Sequence, residues 1–227
     1  MWKKAVILIA LIPFIAPKTL VVNFYSGEDN EISHEKNEPP PHTDYAKMAR
    51  WLVHNSEWMA TGTISTLPEI NGFPMVNVIA MADSEKGGKS TGMIYFYLVM
   101  LDFTAQDLSK KNQMTVLFSL DQSLYCTKKN IDPMEPTCAR IMMSGEALRV
   151  QKDTPEFDYA TKSMTSHHPA SAHWIDAHDF FLCKMNISQI VVLDWYGGPH
   201  YVTPEEYYKT NLDGERSPKA TLEFKFK

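Results

Sequence analysis

Long apolar runs, cysteine and excess positive charge are all scarce in this 227-residue chain. The apolar run Ala5–Ala16, "AVILIALIPFIA", falls short of the roughly 20 residues that a membrane-spanning helix needs. Lysine and arginine number 22 against 27 aspartates and glutamates, for a net charge of -5 and a pI near 5.9. No basic stripe with interleaved aromatics is present, so binding to a nucleic-acid backbone is excluded as a primary role. Catalytic signatures are missing as well. There is no H-E-x-x-H metal pair, no G-x-S-x-G elbow and no G-x-x-x-x-G-K-[ST] phosphate loop. "SEKGGKSTG" (Ser84–Gly92) has the composition of such a loop without its spacing, and reads as a mobile hairpin tip.

What is present suits one globular domain with additions at its ends. Hydrophobic residues make up 44% and aromatics 11% of the chain. Residues 1–27 read as a secretory signal: Lys3 and Lys4 form the basic start, and the apolar run follows. Pro13 and Pro17 speak against a core helix there. The cleavage point is open, as is an uncleaved anchor. After cleavage no stable membrane insertion is expected. Residues 28–42, acidic and ending in three prolines, read as a flexible leader. The domain proper is placed at 43–209 and a polar tail at 210–227, in which Leu222, Phe224 and Phe226 alternate like an edge strand.

The three cysteines are Cys126, Cys138 and Cys183. In an oxidising compartment Cys126 and Cys138 are placed to pair, because they bracket the proline-containing loop "TKKNIDPMEPT". Cys183, within "FFLCKM", reads as a buried small hydrophobe, or as the odd thiol available for pairing between chains.

Along the domain, Thr43–Asn55 reads as a helix with Thr43 as cap. Strands are expected at "WMATGTIS", "FPMVNVIAMAD", "MIYFYLVML", "QMTVLFSL", "ARIMMSGEALRV", "FFLCKMN" and "SQIVVLDWY". Asn71-Gly72 supplies a turn, and Pro74 opens the strand after it. Thr104–Lys110 reads as a short helix. Thr154-Pro155 opens another, running to about Met164. Thr203 and Glu206 fit a capping box. Seven strands with short connections give a mainly β, largely antiparallel barrel with short flanking helices.

Candidate chemistry is thin. His167, His168, His173 and His178 include three spaced by five, which do not share a helix face as metal ligands would. They read as caps and hydrogen-bond partners. Glu69, Asp83 and Asp121 lie near turn ends, where acids cap or solvate. Apolar flanks would raise the Cys183 pKa and so disfavour a thiolate pair with histidine. No catalytic, cofactor-binding or metal-binding residue is assigned.

Four stretches together resemble the CREG family of secreted glycoproteins, the cellular repressors of adenoviral-gene-activated transcription. They are "ATGTISTLPEINGFPMVNV" (Ala60–Val78), "IYFYL" (Ile94–Leu98), "IMMSG" (Ile141–Gly145) and "KMNISQIVVLDWYGGPHYVTPEEYY" (Lys184–Tyr208). The resemblance runs from about Asp44 to Tyr208. It implies the FMN-binding split-barrel fold of pyridoxamine-phosphate oxidases, used without flavin, and a homodimer. It also implies a non-enzymatic secreted or endolysosomal glycoprotein that regulates growth and differentiation through protein partners, with sorting by mannose-6-phosphate receptors. Asn186 falls on a family glycan position within the acceptor triplet Asn186-Ile187-Ser188, and Cys126 and Cys138 match family cysteines. The residues themselves place Asn186 in a turn between two strands, where a sugar can point outward.

The alternative is an FMN-dependent oxidoreductase. A flavin phosphate is close to a dianion and needs cationic forks or a helix N-terminus. Phe73–Met81 carries no cation, and Tyr95–Ser119 carries only Lys110 and Lys111. That absence argues against the cofactor.

Overall fold

The computed structural model describes residues 38–212. The expected signal, the leader up to residue 37 and the tail from residue 213, including its alternating Leu222, Phe224 and Phe226, lie outside the described residues.

Six short helices and seven strands follow one another. They are α1 (Tyr45–His54), β1 (Trp58–Ile64), β2 (Pro74–Ala82), β3 (Tyr95–Leu98), α2 (Phe103–Lys110), β4 (Gln113–Ser119), α3 (Tyr125–Lys128), β5 (Arg140–Arg149), α4 (Pro155–His167), α5 (Trp174–His178), β6 (Phe181–Leu193), β7 (His200–Val202) and α6 (Pro204–Lys209). All strand pairings are antiparallel, in the order β3-β2-β1-β4-β5-β6-β7. A further pairing of β3 with β6 closes the first six into a barrel. β7 lengthens β6 outside that ring.

Strict alternation in β1 and β4 sends every second side chain into the barrel. Met59, Val116, Phe118, Ile141, Met143, Met185 and Ile190 meet there. Met48, Leu52 and Val53 of α1 complete the same core. α4 packs on a second apolar cluster, where Ala160 and Met164 meet Tyr95, Tyr97 and Leu182.

The helix starts show why local chemistry sets these boundaries. Thr154 accepts from the Phe157 amide with Pro155 at the first helical position, and Thr203 and Glu206 form a reciprocal capping box. At α1 the cap is Asp44, which accepts from the Lys47 amide, and not the expected Thr43. A carboxylate one residue nearer the helix holds the orphan amide at least as well as a threonine hydroxyl.

The strands differ from expectation in three places. "MIYFYLVML" pairs only over Tyr95–Leu98; Val99 then enters a turn closed by Asp102, which caps α2. β7, a three-residue strand, was not foreseen. The expected pair "FFLCKMN" and "SQIVVLDWY" is one strand, β6. Its register against β5 passes from Gly145↔Ile187 to Ser144↔Gln189, leaving Ser188 without an opposite residue. The polar cluster Asn186-Ile187-Ser188-Gln189 thus marks a β-bulge, not a turn. Ser188 and Gln189 consequently both face outward.

Cys126, at the start of α3, is joined to Cys138, just before β5. The bracketed segment is less irregular than its sequence reads, because Asp121 accepts from both the amide and the hydroxyl of Thr127 and fixes a helical turn. Closing a loop of this length contributes about 3 kcal/mol in the chain-entropy account. Replacing both cysteines by serine is expected to lower the unfolding free energy by about that amount, read as a lower urea midpoint with an unchanged fold by circular dichroism.

Candidate functional site

Most of the titratable side chains that sequence spacing singled out are spread apart. His168 Nε2 lies 3.0 Å from the Met81 carbonyl, tying the end of α4 to β2. His167 faces Glu57 at 3.7 Å. Asp121 organises α3, as described. Among the described residues no group of three or more His, Cys, Asp or Glu side chains could hold a metal ion. Cys183 is buried in β6, and burial pushes its thiol up to about 12 against the opposing charge of Arg149. Burial thus disfavours the thiolate form.

Asp83 departs from expectation. It is not a solvated turn acid; it is 2% exposed at the end of β2. Its Oδ1 lies 2.9 Å from His54 Nδ1 and accepts from the Ser84 hydroxyl at 2.9 Å. Its Oδ2 accepts from the Ser90 hydroxyl at 2.6 Å. Arg50, 5% exposed on α1, donates from Nε to Ser90 Oγ, from Nη2 to the Ser90 carbonyl and from Nη1 to the Tyr207 carbonyl. The Tyr207 hydroxyl donates to the Gly92 carbonyl at 2.9 Å. Gly92 is dictated twice over: its φ is +71°, and an added Cβ would lie 2.5 Å from Arg50 Nη1. Burial alone would raise the Asp83 pKa; the hydrogen bond and charge of His54, with the Ser90 and Ser84 hydroxyls, outweigh it and the net shift is downward.

Serine, histidine and aspartate together invite comparison with an acyl-transfer triad. The geometry refuses it. Ser84 Oγ, at 3.5 Å, and Asp83 Oδ1 both approach the same ring nitrogen of His54, whereas a triad places them on opposite nitrogens. This network fastens both ends of the 84–92 loop to α1 and α6. The loop is indeed the tip of the β2–β3 hairpin, but it is anchored at its base.

A second buried acid, Asp194, directly follows β6. Its Oδ1 lies 2.5 Å from Nδ1 of His42, while its Oδ2 is buried without a partner. Burial raises its pKa; the His42 hydrogen bond and the His42 and His200 charges oppose the rise. His42 also packs on Trp195, and Tyr45 stacks on His200 with ring centroids 3.7 Å apart. The last leader residue is therefore held against the β6–β7 turn.

The outward faces of β1, β4, β5 and β6 form an open groove of about 530 Å³. Ile64 and Pro74 give it an apolar end. Gln113, Thr115, Ser144, Glu146 and Ser188 supply amide, hydroxyl and carboxylate groups, and Lys111 supplies a cation. A flavin phosphate does not fit this donor set, because one exposed lysine shares the groove with the carboxylate of Glu146. Asn186 is exposed on β6, directly across from Glu146 on β5. None of this groove was foreseen. Its residues are far apart in sequence, and only strand register brings them together.

No helix among the described residues is long and apolar enough to cross a membrane.

Comparison with known proteins places these features. A sequence profile described as CREG, beta-barrel matches residues 40–209. Protein CREG1 of Mus musculus is 41% identical over 173 residues, covering 76% of this chain and 77% of the relative. Protein CREG1 of Homo sapiens is 39% identical over the same shares. Among solved structures, a heme binding protein from Mycobacterium smegmatis superposes with a TM-score of 0.55 at 17% identity, over 75% of this chain and 61% of that one. Campylobacter jejuni ChuZ also reaches 0.55, at 13% identity, over 85% and 76%. These likenesses carry the fold alone, which is the split barrel. The profile match and the identities carry more: the chain belongs to the CREG family.

Proposed function

We propose that this protein is a secreted or endolysosomal glycoprotein that acts through protein contacts, as a homodimer, and not through a catalytic centre. The observation that carries the reading is an exposed apolar flank. Phe73, Val76 and Val78 on and beside β2 are 63%, 66% and 61% exposed, and Leu101 is 90% exposed. The Asn77 amide donates to Asp102 and Thr104, which fixes the Leu101 turn beside that strand. A flank of this kind marks a protein interface. A second copy is a suitable cover, since a two-fold pairing of like faces closes on itself.

Two further points support the reading. The buried serine, histidine and acid groups are committed to one another in geometry unsuited to nucleophilic catalysis. Asn186 lies exposed in an acceptor triplet, so a sugar meets no packing cost there. Glycan-dependent receptor sorting would follow from that modification.

Light scattering of protein made in mammalian cells is expected to give twice the chain mass. Val76→Glu with Val78→Glu is expected to give the single mass, because two like charges on each copy would meet across the two-fold. A wild-type monomer throughout the micromolar range overturns the dimer. A yellow preparation with tightly held flavin overturns the non-catalytic reading.

A further inference from the structure

We infer that the groove on β1, β4, β5 and β6 holds the inner sugars of an N-glycan carried by Asn186, so that the protein bears its own carbohydrate ligand. The inference rests on the proposed glycosylation of Asn186 and goes beyond it.

Asn186 and Glu146 are direct partners in the β5–β6 ladder, and Glu146 lines the groove. Side chains so paired have Cβ atoms about 5 Å apart, so the first sugar starts at the rim. Ser188, on the same outward face of β6, lines the groove as well.

A pyranose ring presents hydroxyls at its edge and C–H groups on its face. Glu146, Gln113 and Ser144 can accept from and donate to the hydroxyls. Ile64 and Pro74 offer apolar surface at the far end. A neutral sugar pays no repulsion beside Glu146, whereas an anionic ligand would. Attachment makes up for weak intrinsic affinity, since a short tether supplies an effective concentration on the order of millimolar. The Pro74 end of the groove adjoins the apolar flank of β2, where Val76 pairs with groove-lining Gly62, whereas Asn186 stands at the opposite rim on β6.

The test uses glycosylated full-length protein from mammalian cells and an endoglycosidase that cuts between the two core N-acetylglucosamines. Ser144→Trp places a large ring in the groove at an exposed strand position. Native-state glycan release is expected to be at least tenfold faster in this variant than in wild type, because the displaced sugars become accessible. Gln113→Trp fills the other end and serves if Ser144→Trp does not fold. Equal release rates in a folded, glycosylated variant overturn the groove assignment and leave the modification standing. A bare Asn186 by mass spectrometry overturns both, so the two failures are told apart.

Discussion

Gly145→Val is expected to lower the unfolding free energy by about 4 kcal/mol. The residue sits in β5 where the register slips by one against β6. A Cβ at this position would lie 2.1 Å from the Asn186 carbonyl oxygen and 3.0 Å from the Ile187 Cα. Those are backbone atoms, so no rotamer change relieves the contact. Either β5 and β6 separate locally or the bulge is rebuilt. Overpacking of this kind ordinarily costs about 1–3 kcal/mol, and a clash of a branched side chain against the β6 backbone exceeds that range.

The variant separates two effects that pull in opposite directions. Valine has a higher strand propensity than glycine, by about 1 kcal/mol across the scale, and would stabilise an ordinary strand position. Gly62 supplies the contrast. It lies in β1, and a Cβ there would stand 3.4 Å from the Thr115 carbonyl, a tolerable contact. Gly62→Ala is therefore expected to stay within about 0.5 kcal/mol of wild type. Urea midpoints of the two variants read the difference directly. A Gly145→Val protein with the wild-type midpoint would show that the close approach of the two strands is not what demands glycine.

The same bulge explains where the sequence misleads. Apolar and β-branched runs bounded by turn residues located β1, β2, β4 and β5. That pattern was interrupted at Asn186-Ile187-Ser188-Gln189, and polar residues between two apolar runs look alike whether the chain turns or bulges. Only the partner strand decides between them, and the partner is remote in sequence. Helix starts were legible where the cap is local, as at Thr154-Pro155 and Thr203–Glu206. The Thr43-Asp44 start offered two adjacent caps, and composition alone does not choose. The family was readable from contiguous segments, above all Lys184–Tyr208. The groove and the Asp83 network were not, because their members come from elements separated by tens of residues. One signal was available for the network: Gly92 ends a polar loop directly before a buried strand, a position where close backbone approach is common.

Arg50→Met tests that network and is expected to cost about 4 kcal/mol. Methionine keeps the packing volume and removes every donor. The Ser90 and Tyr207 carbonyls lose the Arg50 donors, and Ser90 Oγ loses its link to the guanidinium. Buried acceptors left unmade cost about 1–3 kcal/mol each. The variant also frees Ser90 Oγ, which donates to Asp83 Oδ2, from the guanidinium that orients it. The acid limb of the stability curve gives an independent readout. Because the folded pKa of Asp83 is lowered, its ionisation stabilises the fold above its ordinary value near 3.8, and that contribution is lost as pH falls through the depressed folded value. The window therefore lies below about pH 4. In Asp83→Asn the charge is gone at every pH. Its unfolding free energy is expected to fall less steeply than wild type in that window, and to be lower than wild type at neutral pH. Wild-type stability at neutral pH in Arg50→Met, together with an unchanged acid limb in Asp83→Asn, would show that the 84–92 loop is held by packing alone and that its hydrogen-bonded base is incidental.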